Sequence, residues 1–364
     1  MSKKDDILDL DIEDLDALDA KDELSEETGE IENPDDETCE EYDDDYEDED
    51  DDKGKKGFNI FHIIFAAIAL LLIVGVVIML VKWNKGTLSD YDPNEDTSEF
   101  DTEANDYIQP LSSTEIDGKL HDGALTILAI GNSPFADDGD SNKLCKALAK
   151  ELDATVINAA IPGSMIAQSS ESLGECTADG VSLYQVAEAL TTGDFNRVLG
   201  YGEAMGPEAY KSAELLRDMD MTKIDCIVIM YDLTDYLEKR YQVNDYDKDD
   251  IKTVYGSMNV SLRMLKEAFP YTRIVVMSTP ACGLTSDGFY VDGDTVDLGC
   301  GKLTDYNGQV LSACVYNGVS FIDVYYGVIN VDNRNEYIKD DYHINDKGAK
   351  AIAKRFASLI TLSD

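Results

Sequence analysis

From Phe58 to Val81 the chain carries no charged residue. At about 1.5 Å of rise per helical residue, a run of this length can cross a hydrocarbon core of roughly 30 Å. A buried helix of a globular domain is the competing reading, and so long a stretch without charge disfavours it. The run begins too far from Met1 for an ordinary secretory signal, and Lys82-Trp83-Asn84-Lys85 after it shows no small-residue cleavage pattern. The sequence therefore predicts one uncleaved transmembrane helix over 58–82, with Trp83 as an interfacial anchor. Lys53, Lys55 and Lys56 precede it, whereas Lys82 and Lys85 follow. That margin puts the amino terminus on the cytoplasmic side of a cell membrane and the larger remainder outside.

The flanks differ in composition. A net charge of -45 on 364 residues does not describe one compact domain, and the first 52 positions alone hold 28 Asp and Glu against three Lys. Like charges and scarce apolar surface predict a disordered acidic tail over 1–57, because too little can be buried to offset the entropy of ordering. Within it, Ile7, Leu8, Leu10, Ile12, Leu15 and Leu18 could form a short amphipathic helix on a partner, although composition favours a solvated tail. Such a tail suits a basic protein inside the cell, and its charge excludes nucleic acid as a partner. Residues 83–122 are rich in Asp, Glu, Ser and Thr, contain Pro93 and Pro110, and lack periodicity, which reads as an extended spacer. The remaining stretch, 123–364, is long enough for one domain with a sizeable core, and shows no internal repeat.

In that domain short aliphatic runs alternate with longer segments of helical spacing. The runs are Ala124 to Ile130, Thr155 to Asn158, Asp225 to Met230, Arg273 to Ser278 and Ser320 to Val324. Helical spacing marks Ser141 to Leu152, Pro207 to Met219, Asp249 to Phe269, Leu303 to Asn317 and Asp346 to Ile360. Brief strands rich in Ile and Val, each followed by a helix, build a parallel sheet covered on both faces, a three-layer α/β/α sandwich. Six cysteines fall in this domain. Cys145 and Cys226 read as buried apolar residues, and Cys282 with Cys300, flanking a Gly- and Asp-rich insertion, as the best disulfide candidate. No Cys-x-x-Cys or paired His suggests a metal, and the Asp292 to Asp297 loop lacks the calcium-hand pattern.

Histidine is scarce: His62 lies in the hydrophobic run and His121 at the edge of the spacer, leaving His343 as the general base for a folded site. Asp340 precedes it by three residues, a spacing that lets a carboxylate hold one ring nitrogen while the other faces a nucleophile. Ser133, directly after the first aliphatic run, stands where ligands gather in open α/β sheets. Taken alone, Gly131-Asn132-Ser133 also fits a turn or a helix cap, and Asp340 a capping acid.

Together the blocks resemble the SGNH hydrolases, also called GDSL-type esterases and lipases, over most of the chain beyond residue 123. Ile127-Leu-Ala-Ile-Gly-Asn-Ser133 is similar to the family's strand and nucleophile, with Asn132 where Asp is usual. Asn158-Ala-Ala-Ile-Pro-Gly163 is similar to its glycine turn, whose amide helps bind the oxyanion. Ile229-Met-Tyr-Asp-Leu-Thr-Asp235 is similar to its Gly-x-Asn-Asp block, with Asp232 at the Gly and Thr234 at the Asn, so a hydroxyl replaces a side-chain amide. Asp340-x-x-His343 is similar to its base and orienting acid.

The resemblance implies a flavodoxin-like SGNH hydrolase fold with no cofactor. It also implies acyl transfer by Ser133, His343 and Asp340, with the amides of Ser133 and Gly163 and the side chain of Thr234 on the oxyanion. Combined with the anchor, the expectation is a membrane-tethered, surface-exposed serine esterase removing acetyl or other small acyl groups from a carbohydrate. Two other readings stay open: an acyltransferase using the same residues, and a non-catalytic module binding a cell-envelope polymer, which the departures at Asn132 and Thr234 motivate. Tyr231, Tyr236 and Tyr342 could stack on sugars, although core or surface packing is the favoured explanation.

Overall fold

The computed structural model of the chain describes residues 69–76, 79, 104–118, 125–136, 143–170, 176–286, 288–360 and 362. The chain divides into two compact units, Met1–Glu99 and Phe100–Asp364. In the first unit residues 69–76 and 79 are helical; the acidic tail and most of the expected span lie outside the described residues. Among the described residues no helix is long and apolar enough to cross a membrane.

Among its described residues the second unit carries seven strands: β1 (Leu125–Gly131), β2 (Ala154–Asn158), β3 (Cys226–Met230), β4 (Arg273–Met277), β5 (Gly283–Ser286), β6 (Phe289–Asp292) and β7 (Ser320–Ile322). Five form one parallel sheet in the order β2-β1-β3-β4-β7, and β5 and β6 pair as an antiparallel hairpin. All five aliphatic runs read from the sequence are the sheet strands, within a residue or two at each end. Every residue of β3 and β4 is buried, as expected of strands covered on both faces.

Because successive side chains alternate, each strand feeds two cores. Ile127, Ala129, Val228, Met230, Val275 and Met277 face one layer, which includes α1 (Lys143–Leu152). Leu128, Ile130, Ile227, Ile229, Ile274 and Val276 face the opposite one, built from α2 (Leu183–Thr192), α3 (Val254–Ala268) and α4 (Leu303–Asn317). The closing helix α5 (Asp346–Leu359) packs beside α1. This is the three-layer sandwich, and each fully buried aliphatic side chain stabilises it by about 1.5–3 kcal/mol.

Three readings need correction. The helix expected from Asp249 starts at Val254, because Thr253 has extended backbone and its hydroxyl accepts from the Gly256 amide, capping the first turn. Cys282 and Cys300 are separate thiols: Cys282 is buried, while Cys300 Sγ donates to the Lys239 carbonyl at 3.2 Å. The third concerns residues 104–118, read as spacer. Tyr107 exchanges backbone hydrogen bonds of 2.9 and 2.7 Å with Phe321, closing an antiparallel bridge on the outer edge of β7. Asp106 pairs with Arg355 and accepts from the Asp323 amide at 2.8 Å, and Gln109 donates to Ser320 Oγ at 3.0 Å. An open strand edge presents unpaired amides and carbonyls, so a segment able to satisfy them docks despite its polar composition.

Candidate active site

The strand order reverses direction between β1 and β3, the point where an open α/β sheet leaves a crevice at its carboxyl ends. Gly131 ends β1 there with φ of +148°, and a Cβ on it would lie 1.8 Å from the Met230 carbonyl oxygen of β3. Only glycine allows this approach, which brings the residues following the two strands together.

Those residues form one hydrogen-bonded cluster. Asn132 is buried; its amide nitrogen donates to the Ser164 carbonyl at 2.9 Å and to Asp232 Oδ1 at 2.7 Å. Its side-chain oxygen accepts from the Asp232 amide at 2.8 Å. Ser133 begins a short helix, Ser133–Ala136, and its hydroxyl donates to Asp232 Oδ2 at 2.5 Å. Asp232 Oδ1 also accepts from the Thr234 amide at 2.9 Å and from the Thr234 hydroxyl. Asn158, at the end of β2, donates to the Phe135 carbonyl at 2.7 Å and so steadies the helix that starts at Ser133.

The glycine turn follows. Gly163 is exposed with φ of +74°, a left-handed conformation that glycine adopts without strain. Residues just past it are held from β3's side of the crevice: the buried Asp235 accepts from the amides of Ile166 and Ala167, each at 2.8 Å. Burial pushes the Asp235 carboxyl up to about 6, against the opposing pull of those two amides.

The remaining pair lies in the loop before α5. Asp340 is 3.0 Å from His343 Nδ1 through each carboxylate oxygen and accepts from the His343 amide at 3.0 Å and the Tyr342 amide at 3.2 Å. Partial burial acts to raise the Asp340 carboxyl, but the two amides and the imidazole outweigh it and hold it below the usual carboxylate range. The Tyr342 ring lies 4.1 Å from the imidazole, centroid to centroid. The loop is closed by the Lys339 amide donating to the His343 carbonyl at 2.8 Å, and Asn345 caps α5. Asp341 joins the loop to the β5–β6 hairpin, accepting from the Thr285 amide and hydroxyl. Tyr290, Arg334, Asn335, Ile338, Asp340 and Asp341 line a cavity of about 200 Å³ beside the pair.

The structure thus joins His343 to Asp340, and Ser133 to Thr234 through Asp232. The Ser133 proton is directed at Asp232, not at His343. Both clusters occupy the carboxyl edge of the sheet: Ser133 follows β1, Asp232 follows β3, and Gly283, six residues beyond β4, donates its amide to the Asp341 carbonyl at 3.3 Å. Two participants escaped sequence reasoning. Asp232 stood only at a glycine position, and Asp235 carried no role; a carboxylate so close to a fully buried strand was the available signal for each. Among the described residues no cluster of His, Cys, Asp and Glu is arranged to hold a metal ion.

The sequence pattern of the family described as GDSL-like lipase/acylhydrolase matches residues 91–356. No curated protein matches the chain in sequence. Among solved structures, a protein from Lactobacillus plantarum is 18% identical with a TM-score of 0.46, the match covering 65% of this chain and 95% of that one. A possible lipase from Chitinophaga pinensis is 15% identical at 0.43, covering 64% and 96%. The native aryl esterase of M. smegmatis is 16% identical at 0.40, covering 65% and 100%.

Proposed function

We propose, from the premise that this chain belongs to the GDSL-like lipase/acylhydrolase family and is a carboxylic ester hydrolase of SGNH type, that it removes acyl groups, acetyl above all, from a carbohydrate outside the cell. Ser133 attacks the ester carbonyl, His343 takes the serine proton, and Asp340 orients the imidazole and stabilises its charged form. The amides of Ser133 and Gly163, with Thr234, bind the oxyanion. Its collapse breaks the ester C–O bond and the sugar hydroxyl departs with the proton from His343, after which water, deprotonated by His343, cleaves the acyl-Ser133 ester to the free acid and serine. The observation that carries this reading is the placement of Ser133 at the β1/β3 crevice, with the hydrogen-bonded His343–Asp340 pair on the same sheet edge.

The charge-free run Phe58 to Val81 supports a single-pass anchor, with the acidic tail in the cytoplasm beside a basic partner and the esterase domain outside. Transfer of the acyl group to a second sugar would use the same residues. One contact favours a domain that binds an acylated envelope polymer without turnover: Asp232, which occupies the Ser133 hydroxyl.

The test is acetate release from an aryl ester by the full chain in detergent. Wild type turns over and Ser133→Ala does not; equal rates in the two proteins would remove Ser133 from the chemistry. Protease added to intact cells should reach residues beyond 83 and spare those before 58, and the reverse pattern defeats the orientation.

A further inference from the structure

The Asp232 carboxylate is bonded the way an oxyanion would be. Its Oδ1 accepts from Asn132 Nδ2 at 2.7 Å, from the Thr234 amide at 2.9 Å and from the Thr234 hydroxyl, while Oδ2 accepts from the Ser133 hydroxyl at 2.5 Å. Donors converging on one oxygen beside a nucleophile are what an acyl-transfer site offers to the charged oxygen of its tetrahedral intermediate. Here the chain's own anion fills them. A substrate carbonyl cannot share those donors with Oδ1, and a carboxylate left in place would oppose the charge that develops during attack.

Attack on a carbonyl bound at these donors therefore requires the Asp232 side chain to turn away. Hydrogen bonds to an ionised group are stronger than neutral ones, so the carboxylate leaves readily only for a position that supplies new donors. A plain aryl ester has no donor to offer. An acyl group on a sugar is flanked by hydroxyls, which donate.

We propose that Asp232 is a specificity-determining residue, a carboxylate that withholds the Thr234 oxyanion donor from plain esters and yields it to esters of hydroxyl-rich acceptors. The proposal rests on Ser133 being the nucleophile and narrows the substrate class of that same site.

The experiment compares full-length wild type, Asp232→Gly and Asp232→Asn on 4-nitrophenyl acetate and on monoacetylated glucose, together with the rate of Ser133 labelling by a fluorophosphonate. Asp232→Gly should raise kcat/KM on the aryl ester by roughly a hundredfold, the effect of one recovered oxyanion donor. Its gain on the sugar ester should be far smaller, and labelling should quicken. Asp232→Asn keeps the shape and removes the charge, so it should move in the same direction, and it carries the test if the glycine variant fails to fold.

Variants that change equally on both substrates would overturn the proposal. A fall in both variants to the level of Ser133→Ala would also overturn it, by making the carboxylate necessary for the chemistry. Equal labelling of wild type and variants sinks this proposal alone; no labelling in any of them sinks the esterase reading as well.

Discussion

Asp341 holds Thr285 by two hydrogen bonds of 2.7 Å, one from its amide and one from its hydroxyl, fastening the β5–β6 hairpin to the loop that bears His343. His343, the proposed base, is two residues from this clasp, so the hairpin is placed to order the imidazole through the backbone.

Thr285→Val removes the hydroxyl bond and leaves the amide bond, a loss of about 1 kcal/mol in ordering the loop. We expect kcat to fall several-fold with little change in KM, since nothing that grips substrate is altered. Asp341→Ala, which removes both bonds, should lower kcat further. Steady-state kinetics on an aryl acetate decides; an unchanged kcat in Asp341→Ala would separate the hairpin from the base.

Asp235 gives a pH signature in stability. Its folded value of about 6 lies above the unfolded value of about 3.9, so the folded chain binds the extra proton between them. The contribution is full at acidic pH and is lost as pH rises through about 6. Asp235→Asn cannot ionise, so its stability relative to wild type should improve from pH 4 to pH 7. At every pH Asp235→Ala should be the least stable, because it leaves the Ile166 and Ala167 amides unpaired at about 1–3 kcal/mol each. Thermal midpoints across that range test both statements.

The Asp340 carboxyl titrates in the opposite sense. Held below the unfolded value of about 3.9, it stabilises the loop above that pH and releases it as pH falls through the folded value. The Tyr342 and His343 amides that it accepts from should lose hydrogen-exchange protection, relative to intrinsic rates, only under these acidic conditions. In Asp340→Ala their protection should already be absent at neutral pH. Persistent protection in that variant would assign the loop's order to other contacts.

Gly131→Ala should destabilise the whole fold, not merely the site. The added methyl meets the Met230 carbonyl at 1.8 Å, so β1 and β3 would have to separate at the centre of the sheet. A loss of roughly 4 kcal/mol or more, read from urea unfolding, is expected. A variant as stable as wild type would show that the strands can shift at this point.

The sheet was legible because its strands are buried on both faces, which writes them as unbroken aliphatic runs such as Cys226–Met230 and Arg273–Met277. The hairpin was not: Gly283–Ser286 and Phe289–Asp292 are short, sit among Gly and Asp, and take their position from Asp341, a partner distant in sequence. The same holds for Tyr107, whose strand-like pairing is supplied by the β7 edge. At the site, Ser133, Asp340 and His343 could be proposed from their placement and spacing, and Gly163 and Thr234 from the resemblance of their blocks to the family's. What Asp232 does could not, because it depends on how closely β1 and β3 run, and that distance is set by a glycine in another block.

The Tyr107–Phe321 bridge and the Asp106–Arg355 pair have a mechanical consequence. Any tension arriving along the chain from before residue 104 meets these fastenings first, at the lateral margin of β7, two strands away from β3. A pull from that side would load a peripheral seam before it reached β1 and β3, so the Ser133–Asp232 cluster is set apart from strain entering there.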